Sequence, residues 1–169
     1  IYGNTKEAVM KLASMLKDAN HPNVVVYDLA RSDVSMVVAE AFRYSKLVLA
    51  SSTYNMDIFP HMKEFINHLT ERNFQNRTVA LIENGSWSPN AIKVMKEMLA
   101  SCKNLKYTQA SVKILSSLND DSYLQLENLA KELSQDYVKK EVVFKNDLKA
   151  LSNVGYGLYV ITTNDGVKD

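Results

Sequence analysis

The chain of 169 residues is long enough for one domain of ordinary size with a substantial core. Its hydrophobic fraction of 46% is typical of a globular protein, and a formal net charge of +1 gives no electrostatic preference for nucleic acid or an anionic membrane. The single cysteine, Cys102, excludes a disulfide framework, and no apolar run approaches the ~20 residues of a membrane span, so we expect a reducing, cytoplasmic setting.

The chain opens with a short polar loop, Tyr2-Gly3-Asn4-Thr5, in front of an amphipathic helix. Apolar residues recur at helical spacing from residue 5 to residue 19, at Val9, Leu12, Ala13 and Leu16. The unsatisfied backbone N–H groups and the dipole of a helix favour an anion at its N-terminus. The loop is therefore a candidate phosphate cradle, and the same residues also suit an ordinary turn and N-cap.

Short apolar runs alternate with helical segments along the next part of the chain. The predicted elements are, in order, a strand at 24–27, a helix at 34–44 capped by Ser32 or Asp33, a strand at 47–50, a helix at 60–70, a strand at 78–82, a helix capped by Ser88 with Pro89 as its first residue, a strand at 108–115 and a helix at 120–139. This alternation predicts a doubly wound α/β fold, with a parallel sheet covered by helices on both faces.

Two further polar loops follow predicted strands, Ser51-Ser52-Thr53-Tyr54-Asn55 and Glu83-Asn84-Gly85-Ser86-Trp87. Ligands of doubly wound sheets bind beyond the carboxyl ends of the strands, so all three loops are expected at one rim. The opening loop offers neutral donors and lacks the Lys expected beside a triphosphate. The later loops add an aromatic ring each, beside amide, hydroxyl and backbone donors. Together the loops suit a ligand with a phosphate at one end and a flat, hydrogen-bonding ring system at the other, such as FMN.

Each component of this site also has a purely structural interpretation. Trp87 stands at a helix entrance and Tyr54 beside the core, where aromatic residues often pack against the interior. Residues 51–53 would also suit the approach to a helix. The coincidence of three loops at one rim favours a binding site. No metal site is expected, because the histidines have no metal-ligand spacing with acidic partners: His21, His61 and His68.

The loops, and the turn after the first strand, resemble those of a known family. The following phrases look like the flavodoxin-like domain of flavodiiron proteins, also called A-type flavoproteins or rubredoxin:oxygen oxidoreductases: Tyr2-Gly3-Asn4-Thr5, Tyr27-Asp28-Leu29-Ala30-Arg31-Ser32-Asp33, Thr53-Tyr54-Asn55 with Phe59-Pro60, and Glu83-Asn84-Gly85-Ser86-Trp87. The resemblance covers residues 1–140. It implies FMN, with the phosphate at residues 2–5, the isoalloxazine ring between residues 52–55 and 83–87, and Trp87 over one face of the ring.

The resemblance also implies a role in a larger protein. The domain would receive electrons from a redox partner such as rubredoxin or an NAD(P)H reductase. It would pass them to a diiron oxygen or nitric oxide reductase centre in another domain of the same protein, within a homo-oligomer. The ligands of such a centre are missing from the sequence, so no complete catalytic site is expected in this chain. We therefore interpret the sequence as an internal fragment.

The chain departs from the family pattern near the predicted site. Ser52 stands where the family usually has Pro, and Met56-Asp57 replaces a Gly-containing pair beside the flavin. The strand that should precede the opening loop is missing upstream of residue 1. It would be the central strand of the order 2-1-3-4-5, so we predict a gap, or a substituted strand, between the strands at 24–27 and 47–50.

The last part of the chain, residues 141–169, is assigned to a linker and the truncated start of a second domain. A short helix is predicted at 145–152 and a β-rich run at 156–163, before a hairpin-turn signature at Asn164-Asp165-Gly166. The run resembles the entry into a flavin-reductase-like split barrel, which follows the flavodoxin-like domain in some flavodiiron proteins. We expect it to extend away from the α/β body, because an isolated hairpin strand is only marginally stable.

Two other functions are compatible with the predicted fold. An NAD(P)H-dependent flavin or quinone reductase would need a nicotinamide site, for which the sequence has no dedicated basic cluster. A signalling or scaffold module would bind no flavin, and its receiver-like form would need an acidic cluster at the strand ends, where only Asp28 lies.

Overall fold

The computed structural model describes residues 3–19, 21, 23–86, 88–135 and 159–164, the last of these for the backbone only. The helices in this part of the chain are α1 (Asn4–Asp18), α2 (Val34–Arg43), α3 (Pro60–Glu71), α4 (Ala91–Met98) and α5 (Asp120–Ser134). The strands are β1 (Asn23–Asp28), β2 (Lys46–Tyr54), β3 (Asp57–Ile58), β4 (Thr78–Asn84), β5 (Lys106–Tyr107), β6 (Val112–Ile114) and β7 (Tyr159–Asn164).

The strands form one sheet with the order β1-β7-β2-β4-β5, in which β6 also pairs with β4 and β3 with β2. β2 and β4 are parallel, and β4 is parallel to both β5 and β6. Helices α2, α3 and α4 pack on one face of this sheet and α1 and α5 on the other. The prediction of a doubly wound α/β fold is confirmed.

The two faces of the sheet carry separate cores, and alternate residues of each buried strand supply them. On β2, Leu47 and Leu49 face α2 and α3, whereas Val48 and Ala50 face α1 and α5. This period of two follows from the pleat of a strand. Because both faces are covered, the central strands are apolar throughout, which is the pattern that identified them in the sequence.

The central position of the sheet is occupied by β7. This strand runs antiparallel to β1 on one side and to β2 on the other. The prediction that a gap or a substituted strand separates residues 24–27 from residues 47–50 is therefore confirmed. The expectation that the C-terminal run extends away from the α/β body is wrong for residues 159–163. The facing edges of β1 and β2 carry backbone N–H and C=O groups that need hydrogen-bond partners. An extended segment between them supplies these partners at a buried position, where water cannot.

Two other predicted elements differ from the structure. Helix α4 begins at Ala91 with Asn90 as its N-cap, rather than at Pro89. The predicted strand at 108–115 is divided into β5 and β6, because the backbone N–H groups of Gln109 and Ala110 both donate to the Glu132 carboxylate of α5 at 2.8 Å. This contact turns the chain away from the sheet between the two strands. The predicted helix at 145–152 lies outside the described residues.

At the amino ends of the parallel strands, polar side chains connect α5 to β2. Lys46, the first residue of β2, is only 5% exposed and donates from Nζ to the backbone carbonyl of Leu133 at 2.6 Å. The buried His21 ring lies 3.0 Å, through Nε2, from the hydroxyl of Ser134. A cation at the C-terminus of a helix is favoured by the helix dipole, so Lys46 stabilises the end of α5.

Candidate functional site

The three polar loops meet at one rim of the sheet, beyond the carboxyl ends of the parallel strands. The Asn84 side-chain amide donates to the Thr5 hydroxyl at 3.3 Å, which joins the end of β4 to the first turn of α1. Ser52 lies opposite Asn84 in the β2–β4 ladder. The backbone N–H of Asn90 donates to the Thr53 hydroxyl at 2.9 Å, which joins the second loop to the start of α4. The structure therefore brings these predicted site residues together.

The opening loop presents an open helix N-terminus. Gly3 is the N-cap of α1 and adopts a left-handed conformation with a φ of +75°, which favours glycine. A Cβ placed on Gly3 would meet no described atom within 4 Å, so space is open beside it. Gly3 has no side chain that could cap the first backbone N–H groups of α1. The Asn4 side chain donates to the backbone carbonyl of Ser116, and Tyr2 lies outside the described residues.

Thr5 is the hydroxyl residue nearest to the start of α1, and it is 7% exposed. Its oxygen accepts the hydrogen bond from Asn84, so its own O–H group is still able to donate. A donor hydroxyl at a helix N-terminus is suited to an anionic oxygen. This is the chemistry expected where a phosphate binds through neutral groups.

The second loop is a tight hairpin between β2 and β3. Tyr54 pairs with Asp57, and the two residues between them, Asn55 and Met56, both have positive φ angles, of 49° and 63°. Positive φ at both positions is the signature of a type I′ turn, which usually places Gly second. Methionine at that position strains the backbone, because a side chain in the left-handed region costs about 1–2 kcal/mol.

The hairpin holds an aromatic ring at the surface of the rim. Tyr54 is 47% exposed, and its ring centroid lies 5.5 Å from that of Phe59. The ring therefore packs on a neighbour with part of its surface and leaves the rest open. The carboxylate of Asp57 accepts from Lys63 at 2.5 Å, and this hydrogen bond, with one from the backbone N–H of Ile58, lowers the pKa of Asp57.

The third loop is held mainly by contacts within the protein. Glu83 is buried, and its carboxylate accepts from the backbone N–H of Ile92 at 2.9 Å, so it stabilises the N-terminus of α4. The N–H of Gly85 donates to the Ile114 carbonyl at 3.0 Å. Ser86 is exposed, and Trp87 lies outside the described residues. The contact of Glu83 with α4 was not predicted from the sequence.

A groove with a volume of about 610 Å³ runs from Tyr54 along the exposed side of α3. Polar groups that line it pair with one another, Lys63 with Asp57 at 2.5 Å and His68 with Glu71 at 3.6 Å. A flat cofactor ring is normally held by apolar and aromatic walls. The lining of this groove is therefore not that of a site for a flat ring.

Solved protein structures share this architecture, although no protein-family model and no curated protein sequence matches the chain. Rubredoxin oxygen:oxidoreductase from the anaerobe Desulfovibrio gigas matches over 80% of this chain, with a TM-score of 0.74 and 19% identity. A flavodoxin from the domain Archaea also matches over 80%, with a TM-score of 0.66 and 19% identity, and is itself covered over 91% of its length. The fold is that of flavodoxin.

Larger proteins also contain this flavodoxin fold. The flavodiiron protein from Giardia intestinalis matches over 80% of this chain, with a TM-score of 0.71 and 18% identity. The chain spans 33% of the length of that protein and 33% of the Desulfovibrio gigas oxidoreductase. The predicted resemblance to the flavodoxin-like domain of flavodiiron proteins is confirmed at the level of the fold.

Two residues at the rim of this flavodoxin fold were not predicted as parts of the site. Asn90 binds the second loop through its N–H to Thr53 and through its side chain to the carbonyl of Met56 at 3.2 Å. The backbone carbonyl of Ser116 accepts from the Asn4 side chain. Only Asn90 has a signal in the sequence, because Asn is a preferred N-cap.

The described part of the chain contains no group of three or more His, Cys, Asp or Glu side chains that could hold a metal ion. Within the same residues, no helix is long and apolar enough to cross a membrane.

Proposed function

We propose that the chain is an FMN-binding electron-transfer domain. The observation that carries the proposal is the convergence of the open N-terminus of α1 with two further polar loops, which hydrogen bonds to Thr5 and Thr53 join at one rim. This arrangement suits an elongated ligand that has a phosphate at one end and a flat ring at the other. The flavodoxin fold supports the same ligand class.

The phosphate end of FMN is assigned to Tyr2, Gly3, Asn4 and Thr5. The backbone N–H groups at the start of α1 and the hydroxyl of Thr5 would donate to the phosphate oxygens, and the dipole of α1 would favour their charge. The open space beside Gly3 leaves room for this group. These donors are neutral, as expected for a phosphate monoester that is held without a metal ion.

The ring end of FMN is assigned to the second and third loops. Ser52, Thr53, Tyr54 and Asn55 would contact one side of the ring, and the residues of the third loop the other: Glu83, Asn84, Gly85, Ser86 and Trp87. Trp87 would cover one face and exclude water from it. When bound, the flavin supplies the redox chemistry, and the protein binds, orients and shields it.

We further propose that the chain is part of a cytoplasmic flavodiiron-type protein, with residues 1–140 as the FMN-binding domain. Residues 159–164 pair within the sheet of that domain, so they are not assigned to a second domain. Electrons would come from rubredoxin or an NAD(P)H reductase and pass to a diiron domain of the same homo-oligomeric protein. The structural match to the Desulfovibrio gigas oxidoreductase and the Giardia flavodiiron protein supports this role.

The test is a titration of the purified chain with FMN. Trp87 is the single tryptophan of the chain, so its fluorescence reports on this loop alone. We expect FMN to quench the Trp87 emission in a saturable manner and the protein to quench the flavin emission in parallel. Riboflavin, which lacks the phosphate, should bind far more weakly. The absence of saturable binding would overturn the proposal, and steady NAD(P)H oxidation by the FMN-loaded chain would favour a reductase instead.

Substitution of Trp87 separates a ligand contact from a packing role. Trp87→Ala should weaken FMN binding by roughly 1 kcal/mol or more, from the loss of stacking, whereas Trp87→Phe should retain most of the affinity. A buried packing residue would instead cost about 3–5 kcal/mol of folding stability with unchanged FMN affinity. Isothermal titration and urea denaturation of both variants measure the two effects separately.

A further inference from the structure

Asn90 is the N-cap of α4, but its side chain does not cap that helix. Asparagine is favoured at an N-cap because its side-chain oxygen accepts from the first backbone N–H groups of the helix. In this structure the side-chain amide of Asn90 donates instead to the backbone carbonyl of Met56, at 3.2 Å. The carboxylate of Glu83 accepts from the N–H of Ile92, so β4 supplies a cap for α4. The side chain of Asn90 is thereby available to the hairpin between β2 and β3.

The backbone of Asn90 makes a second contact with the same hairpin, residues 53–58. Its N–H donates to the Thr53 hydroxyl at 2.9 Å, on the strand that enters the turn, whereas its side chain reaches a carbonyl within the turn. The two residues of the turn, Asn55 and Met56, both have positive φ, and the methionine is strained there. Two hydrogen bonds from one residue therefore hold a strained turn at two points.

The residue before Asn90 lies against the third loop. A Cβ built on Gly85 would be 3.1 Å from the Cα of Pro89, which is tighter than an ordinary contact, so the backbone of the third loop lies directly beside residue 89. Pro89 and Asn90 are consecutive, and the first contacts the third loop while the second contacts the hairpin. This pair of residues therefore sets the distance between the two loops.

We propose that Asn90 is a positioning residue for the proposed ring site between the second and third loops. By holding the hairpin against the start of α4, it orders Tyr54 and Asn55 before a planar ligand arrives. A loop that is already ordered loses less conformational freedom on binding, so the ligand binds more tightly. The identity of this ligand as a flavin rests on the proposed function, whereas the ordering of the hairpin does not.

The test is the variant Asn90→Ser. Serine is an equivalent N-cap and the backbone N–H of residue 90 remains, but the serine side chain is one bond too short to reach the Met56 carbonyl. Amide hydrogen exchange at residues 53–58 should become about threefold faster, as expected for the loss of one exposed hydrogen bond, while α4 keeps its protection. The dissociation constant for FMN, measured by flavin fluorescence, should rise by a similar factor.

A second substitution tests whether Asn90 acts through the strained turn. Met56→Gly relieves the strain and gives the sequence that a type I′ turn favours. Added to Asn90→Ser, it should restore both the protection of residues 53–58 and the FMN affinity to the parental values. Asn104→Ser is the matched control, because it removes an amide hydrogen bond to Asn76 at 3.0 Å, close to the start of β4, and should leave both measurements unchanged.

Equal exchange at residues 53–58 in the parent chain and in Asn90→Ser would overturn the proposal. Faster exchange with unchanged FMN affinity would also overturn it. So would a failure of Met56→Gly to restore the FMN affinity, which would mean that Asn90 acts on the ligand or on α4 rather than through the hairpin. If the parent chain binds no FMN, the proposed function fails, and the exchange at residues 53–58 still decides whether Asn90 orders the hairpin.

Discussion

The side-chain amide of Asn84 donates to the hydroxyl of Thr5 at 3.3 Å, across 79 positions of sequence. The bond joins the carboxyl end of β4 to the first turn of α1. It occupies one lone pair of the Thr5 hydroxyl oxygen. The hydrogen of that hydroxyl is still able to donate to another acceptor. Thr5 is therefore the residue at which the fold and the proposed phosphate site are most directly connected.

Replacing Thr5 by valine should weaken FMN binding by about tenfold or more, because a hydrogen bond to a charged group contributes roughly 1.5–3 kcal/mol. Thr5→Ser retains the hydroxyl and should bind FMN almost as the parent chain does. Flavin fluorescence titrations give both dissociation constants. Equal affinities for the two variants would mean that the hydroxyl does not contact the phosphate.

Replacing Met56 by glycine should stabilise the fold by about 0.5–1 kcal/mol. Glycine removes the strain of a φ of 63°, and this gain exceeds the extra flexibility it gives to the unfolded chain. Met56 is 70% exposed, so little packing is lost. Met56→Ala keeps the strain and should leave the free energy of unfolding nearly unchanged. Urea denaturation of both variants measures the difference, and an equal gain for alanine would contradict the strain argument.

Replacing Glu83 by alanine should destabilise the fold by about 1–3 kcal/mol, because it removes the acceptor for the partly buried N–H of Ile92 at the start of α4. Glu83→Gln keeps an acceptor oxygen and should cost less. Measuring the free energy of unfolding and the FMN affinity together distinguishes a contact of Glu83 with α4 from a contact with the ligand. Unchanged stability with weakened FMN binding would place the Glu83 carboxylate on the ligand instead.

Folding stability should decrease in mild acid because of His21. Burial, and then the charge of Lys46, lower the pKa of His21 below its ordinary value of 6.5. The unfolded chain therefore takes up a proton first as the pH falls below 6.5, and the free energy of unfolding decreases until the folded pKa is passed. His21→Gln should flatten this dependence, whereas His61→Gln, at an exposed position, should not. Denaturation midpoints between pH 7.5 and 5 provide the test.

The elements with local signals were predictable from the sequence. Asp33 caps α2 through a hydrogen bond to Met36 at 3.0 Å, and Pro60 begins α3, both as predicted. In these cases the capping residue and the apolar periodicity lie within the same few residues. The three loops could be placed at one rim for a similar reason, because each directly follows a strand or begins a helix.

Contacts between residues that are distant in sequence account for the differences between the predicted and the observed elements. Pro89 resembles a first helical residue, but its Cα lies 3.1 Å from where a Cβ of Gly85 would be, so the chain passes close to the third loop before α4 begins. Glu132 of α5 interrupts a predicted strand although it lies more than twenty residues further along the chain. The antiparallel insertion of β7 depends on two strands that are more than a hundred residues earlier. Periodicity within one segment contains no information on any of these contacts.

Because Lys46 is buried, the chemical reactivity of its amine measures local opening of the fold. Its ammonium group is held against the Leu133 carbonyl at 2.6 Å, whereas the side chains of Lys63 and Lys93 are 49% and 72% exposed. An amine-reactive reagent should therefore modify the exposed lysines readily and Lys46 only when α5 separates from the start of β2. The ratio of these rates gives the free energy of that local separation without any introduced label.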